Sequence, residues 1–211
     1  MIYLDSALVS EAQLLEKLGW VKGITTNPTL LAKSELPVEM TLKRLAKLSP
    51  GELYYQLMAS DFEGMLAEGR IAFEIIGEKT VLKVPATSIG FQVVASLSKE
   101  IPCSVTAIYS AAQAAVAREA GAKYAIAYIN RATRLLGDGL ALVQEMATIL
   151  KGSHTEILAA SLRSPEEAAA ALQAGAHHLT LPMSLLQAMT THELSQQTVD
   201  AFARTGRGIL G

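Results

Sequence analysis

Eight short apolar runs rich in β-formers punctuate the chain: IYLD (2 to 5), WVKGITT (20 to 26), LYYQLM (53 to 58), TVLKV (80 to 84), CSVTAI (103 to 108), YAIAYI (124 to 129), EILAAS (156 to 161) and HHLTLP (177 to 182). Their length and composition predict strands. Between them lie segments with helical spacing: SEAQLLEKL, VEMTLKRLAKL, FEGMLAEGRIAFEII, GFQVVASLSK, SAAQAAVAREA, DGLALVQEMATIL and PEEAAAALQA, several followed by the glycine expected past a helix end. Two further helical stretches are predicted near 183 to 189 and 192 to 204. Strands alternating with helices imply parallel pairing, because a parallel connection needs a crossover and a helix supplies it. An open doubly wound sheet rarely reaches eight strands in so short a chain. A closed (β/α)₈ barrel requires that count and runs from roughly 200 residues upward, so a compact TIM barrel is the expected fold.

Composition narrows the class further. The 211 residues are half hydrophobic and carry 18 Lys and Arg against 20 Asp and Glu, for a formal net charge of −2. No linker-like or low-complexity segment divides them, so residues 1–211 are expected to form one domain, with 190–211 as a C-terminal extension. Cys103 is the one cysteine, and the opening MIYLDSALVS lacks the basic and apolar regions of a signal peptide, which points to a reducing cytoplasm. Charges interrupt every apolar stretch short of a membrane span. Basic residues are scattered, so neither membrane nor nucleic acid is an expected partner.

The candidate chemistry lies at the ends of the strand runs, which carry Asp5, Thr25 with Asn27, Gln56, Lys83, Thr106, Tyr128 and Ser161. A barrel gathers the C-terminal ends of all its strands around one mouth, where these side chains would converge. Each taken alone also fits a strand end that precedes a turn. Lys83 differs, since alternation along TVLKVP turns it inward if Leu82 and Val84 face the helices. An interior ammonium is costly, and desolvation lowers its pKa. Lys83 is then either a neutral nucleophile suited to Schiff-base chemistry or a charged partner of a carboxylate such as Asp5. Arg131 and Arg163 lie just past strands six and seven, where rim guanidinium groups can hold a phosphate or simply be solvated.

Other motifs fail on context. GRGILG (206 to 211) matches a dinucleotide-binding pattern but has no helix after it. His177 and His178, adjacent in a strand, face opposite sides, which argues against joint metal ligation, and His154 and His192 stand in loop-like stretches. Cys103 reads as a small core residue.

The motifs GITTNPTLL (23 to 31), TVLKVPAT (80 to 87) and ILAASLRSP (157 to 165), with LYYQLMASDFEGM, VTAIYSAAQAA, GAKYAIAYINR and HHLTLPMSL, resemble the transaldolase family over essentially the whole chain, and most closely its small fructose-6-phosphate aldolase branch. The resemblance implies a (β/α)₈ barrel and a class I aldolase that uses neither metal nor cofactor. It implies Lys83 as the Schiff-base nucleophile, Asp5 as the acid/base, and Gln56, Thr106 and Tyr128 as the groups holding a catalytic water. Asn27 and Ser161 match positions that hold the dihydroxyacetone hydroxyls, Thr25 lines that pocket, and Arg131 and Arg163 match basic positions near the sugar phosphate. The implied partners are sugar phosphates and dihydroxyacetone. A homo-oligomer, ring-like in the manner of a pentamer or decamer, is also implied.

Two positions separate the branches. Transaldolases typically carry glutamate where Gln56 stands and phenylalanine where Tyr128 stands, so this chain follows the aldolase pattern. The expected activity is therefore reversible cleavage of fructose 6-phosphate to dihydroxyacetone and glyceraldehyde 3-phosphate. Alternatives are transfer of the three-carbon unit between sugar phosphates and a sugar-phosphate-binding barrel without turnover. Ile126 and Ala127 depart from the small residue and proline usual in the family, and Ile126 would point into the barrel with Tyr128.

Overall fold

A computed structural model describes residues 1–209; Leu210 and Gly211, the last two residues of the GRGILG segment, lie outside the described residues. Eight parallel strands close into a barrel in sequence order: β1 (Ile2–Asp5), β2 (Gly23–Thr25), β3 (Glu52–Gln56), β4 (Thr80–Pro85), β5 (Cys103–Ile108), β6 (Tyr124–Tyr128), β7 (Glu156–Ala160) and β8 (His178–Leu181). Around it run α1 (Val9–Gln13) and a 3₁₀ turn (Leu14–Glu16), α2 (Pro28–Leu31), α3 (Val38–Leu48), α4 (Phe62–Ile76), α5 (Ser88–Leu97), α6 (Ala111–Glu119), α7 (Ile129–Leu136), α8 (Gly139–Leu150), α9 (Pro165–Gln173), α10 (Met183–Ala188) and α11 (Glu193–Thr205). The expected (β/α)₈ barrel is the fold observed.

Capping residues start six of the helices. Asn27, Asp61, Thr87, Ser110, Asp138 and Ser164 each accept a hydrogen bond from a first-turn backbone N–H of the helix that follows. At the start of α5 the chain must also come close to the end of β4: a Cβ on Gly90 would lie 2.0 Å from the Pro85 carbonyl oxygen, so only glycine fits there.

Three local expectations need correction. The segment 10 to 18, read as one helix, breaks into α1 and the 3₁₀ turn. The run 20 to 26 contributes only Gly23–Thr25 as strand. Ile129, placed at the end of strand six, instead begins α7, a helix the pattern did not reveal. That helix starts directly at Tyr128, with no side-chain cap and no turn between it and β6, so no start signal sets it off from the strand.

Strand alternation sorts the interior into two shells. Leu4, Ile24, Leu53, Leu82, Val84, Cys103, Val105, Ile157, Leu179 and Leu181 face outward and pack with the helices. Tyr3, Tyr54, Val81, Tyr124, Ile126, Leu158 and Ala160 fill the barrel itself, with Tyr128 against them. At the N-terminal end the rings of Tyr3, Tyr54 and Tyr124 meet at centroid distances of 5.3 and 5.6 Å. Their hydroxyls all donate to the Glu52 carboxylate, which also takes Lys123 Nζ at 2.6 Å. This end of the barrel is plugged.

Candidate active site

With the lower barrel filled by tyrosines, the polar side chains at the upper strand ends surround a cavity of about 490 Å³. Its walls include Asp5, Asn27, Gln56, Lys83, Tyr128, Arg131 and Ser161 from the expected set. Thr25 and Thr106 stand directly behind that wall, hydrogen-bonded to Asp5 and Tyr128. Nine of the ten expected residues therefore gather in one place. Arg163 does not line the cavity but a neighbouring groove shared with Pro182, Ser184 and Leu185, and its backbone N–H donates to Glu167 Oε2 at 2.6 Å.

Lys83 is only 4% exposed, and its outward neighbours Leu82 and Val84 lie in the outer shell as alternation requires. Its Nζ donates to the Thr26 carbonyl oxygen at 2.8 Å. Among the described residues no ion pair within 4.0 Å joins Lys83 to a carboxylate. Burial pushes its pKa down, and the charge of Asp5, acting from beyond contact distance, recovers only part of that shift. Of the two readings of this lysine, the geometry favours the neutral amine.

Asp5 experiences the converse. Burial raises its pKa, opposed by the Lys83 charge and by the Thr25 hydroxyl, which donates to Oδ1 at 2.8 Å. The register pairs Asp5 with Thr25 across β1 and β2 and Gln56 with Lys83 across β3 and β4, so both polar pairs are fixed by the sheet rather than by loops. Asn27 caps α2 with its carbonyl oxygen, accepting from Leu30 N–H at 3.0 Å, which leaves its amide N–H groups for the cavity.

The Tyr128 hydroxyl and Thr106 Oγ1 are hydrogen-bonded at 2.6 Å, and either can be the donor. Burial raises the phenol pKa, countered by Thr106 and by the charge of Arg131, whose guanidinium carbon sits 5.0 Å from the ring centroid. Tyr128 is thus a phenol at neutral pH and can donate a proton. Thr106 is placed by an irregularity: the pairing of β5 with β6 shifts register between Val105 and Ile108, and Ala107 adopts a φ of 60°. Ser161, just past β7, has a φ of 61°, and its carbonyl oxygen accepts from Asn130 N–H at the start of α7. Non-glycine residues in this region are strained, and Ser161 lines the cavity itself.

Sequence reading missed two contributors. Thr180 on β8 lines the cavity and lies 2.5 Å, oxygen to oxygen, from Thr25. The pattern Leu179-Thr180-Leu181 holds a polar residue between two outward leucines, the same signal that marked Lys83. Glu68 on α4 accepts the Met58 and Ala59 N–H groups at 2.8 Å each and the Tyr55 hydroxyl at 2.7 Å, fixing the loop that carries Met58 to the cavity rim. No local pattern predicts a glutamate reaching back to a loop.

The remaining candidates have other roles. His178 stacks edge-on against Tyr3 and Tyr124 inside the barrel, while His177 Nδ1 accepts the Ile157 N–H. His192 caps α11. Cys103 is fully buried, and burial pushes its thiol up to about 12.

Residues 2–207 match a family model described as transaldolase/fructose-6-phosphate aldolase. The chain is 37% identical to a "Probable transaldolase" of Hydrogenobaculum over 205 residues, covering 96% of this chain and 94% of the relative. It is 34% identical to a protein of the same name from Aquifex aeolicus, with the same coverage of each. Among solved structures, a mandelate oxidase variant superposes with a TM-score of 0.64 at 19% identity, over 96% of this chain and 72% of the other. An inosine 5′-monophosphate dehydrogenase from Legionella pneumophila gives a TM-score of 0.62 at 12% identity, over 87% of this chain and 58% of the other. At such identities these two likenesses concern the fold alone.

Proposed function

Because the chain belongs to the transaldolase/fructose-6-phosphate aldolase family, we propose that it is a Schiff-base aldolase, reversibly cleaving fructose 6-phosphate to dihydroxyacetone and glyceraldehyde 3-phosphate. The observation that carries this reading is a buried Lys83 whose amine is biased toward its neutral form and opens onto a cavity shared with Asp5.

The chemistry follows from those positions. The Lys83 amine adds to the substrate C2 carbonyl, and loss of water gives a protonated imine. That cation draws the electrons of the C3–C4 bond as Asp5 takes the C4 hydroxyl proton, releasing the aldehyde and leaving an enamine. The enamine is protonated at C3, and water then hydrolyses the imine to free dihydroxyacetone and the amine. Tyr128, Thr106 and Gln56 hold the water that carries these protons. Asn27 and Ser161 hold the hydroxyls of the three-carbon unit, Thr25 steadies Asp5, and Arg131 attracts the phosphate. Arg163 lies one groove away and would serve a phosphate only from outside the cavity. A barrel of this composition fits small sugar phosphates in an aqueous cell interior, and among the described residues no helix is long and apolar enough to cross a membrane.

The second reading, transfer of the three-carbon unit to an aldose phosphate, has the names of the relatives in its favour. It shares every step up to the enamine. Gln56 and Tyr128 favour the lyase, since a neutral amide and a phenolic donor assist protonation and release. Two measurements separate the possibilities. Borohydride with dihydroxyacetone should add one three-carbon unit at Lys83; an unmodified protein defeats both enzyme readings and leaves a binding barrel. Cleavage of fructose 6-phosphate should proceed without erythrose 4-phosphate, whereas strict dependence on that acceptor makes the protein a transaldolase.

A further inference from the structure

We propose that Thr180 is a positioning residue for Asp5, acting through Thr25 as the outer member of a hydrogen-bond chain that runs Thr180 to Thr25 to Asp5 and holds the carboxylate ready to accept a proton. This rests on the Schiff-base reading only for the use made of Asp5; the chain itself is read from geometry.

The direction of the chain follows from counting protons. Thr25 Oγ1 donates its single proton to Asp5 Oδ1 at 2.8 Å. The proton in the 2.5 Å contact between the two threonine hydroxyls therefore belongs to Thr180. Both threonines are buried, Thr180 to 3% exposure and Thr25 completely, so neither hydroxyl exchanges its partner for bulk water. In such surroundings one hydrogen bond polarises the next, and donation from Thr180 makes Thr25 a better donor to the carboxylate. Thr25 engages Oδ1 alone. Among the described residues no hydrogen bond reaches Oδ2, which is left as the atom that receives the substrate proton. The three residues come from β1, β2 and β8, adjacent strands, so barrel closure itself assembles the chain.

The titratable and charged groups facing Asp5 are Lys83 from β4 and Tyr128 from β6, with Arg131 at the start of α7 on the same cavity. β3 presents the uncharged Gln56. All four are retained when Thr180 is changed, so a shift in Asp5 reports on the hydroxyl chain.

The test is a carbon-13 NMR titration of the Asp5 carboxyl in the unliganded protein, compared for wild type, Thr180→Val and Thr180→Ser. Valine keeps the shape and removes the donor; serine keeps the donor. The valine variant should titrate about half to one pH unit higher and the serine variant as wild type. The acid limb of kcat/KM for cleavage should move with it. An unshifted valine variant, or a serine variant that shifts equally, overturns the proposal. Should valine prevent folding, Thr180→Cys, a weak donor of similar size, should give a smaller shift in the same direction, and an unshifted titration overturns the proposal equally. The titration needs no turnover, so failure of the Schiff-base reading appears separately, as absence of a borohydride adduct on wild-type Lys83.

Discussion

Ser161 occupies a backbone conformation that L residues avoid, at the place where β7 hands over to the loop before α9. The cost of such a conformation is about 1–2 kcal/mol, and the residue that bears it lines the cavity. Ser161→Gly should therefore raise stability, by about 1 kcal/mol or less after the added chain entropy of glycine, while raising KM; thermal melts and steady-state kinetics check the two together. At Lys83 and Asp5 the environment moves each pKa toward its ordinary partner's range. The reaction needs the amine neutral and the carboxylate ionised, so protonation of either group abolishes it. Both losses fall on the acid side: activity should decline as pH drops, with a plateau reached below the ordinary lysine pKa. Asp5→Asn should lower kcat by about 10²–10⁴ while still permitting the Lys83 adduct in the borohydride experiment.

At the scale of elements, the strands divide their labour by end. The N-terminal ends of β1, β3 and β6 contribute Tyr3, Glu52 with Tyr54, and Tyr124 to the plug. Burial pushes the Glu52 pKa up, but the hydrogen bonds from Lys123, Tyr3 and Tyr124 and the Lys123 charge outweigh it and hold it below the usual glutamate value. A carboxylate held low stabilises the fold in full above its unfolded pKa and loses that contribution as pH falls through its folded one. Glu52→Gln should thus cost about 1–3 kcal/mol at neutral pH and flatten the acid side of the stability profile, as measured by urea unfolding from pH 7 downward.

Strand existence and inward facing are legible from the sequence because both follow from period-two alternation, which alone turns Lys83 inward. The irregularity of β5 was not legible, since Ala107 is an unremarkable residue in an unremarkable run and its positive φ coincides with a register shift against β6 that only the paired strands reveal. Thr180 was readable by the rule applied to Lys83 but lies one strand beyond the run of polar ends that drew attention. Arg163 followed the parity of Ser161 on paper, but the left-handed turn at Ser161 ends the strand periodicity and sends the next residues elsewhere.

At the scale of the molecule, α11 stands apart. None of its residues is buried, and Leu194, Val199 and Phe202 are 63%, 58% and 68% exposed. An amphipathic helix with its apolar side in solvent calls for a partner, and a second copy of this chain is the partner the family resemblance implies. Truncation after residue 190 should lower the number of copies per particle, measured by light scattering; an unaltered copy number would remove α11 from the assembly.

The tyrosine plug has a kinetic consequence. A barrel stoppered at one end is a vessel with a single doorway, and a cleavage that makes two fragments inside it must discharge them in sequence. On the proposed chemistry the aldehyde departs first, while its sibling is still tethered to Lys83. Until that tether is hydrolysed the doorway admits whichever comes next, water or another aldehyde, so the choice between lyase and transferase becomes a race for one entrance.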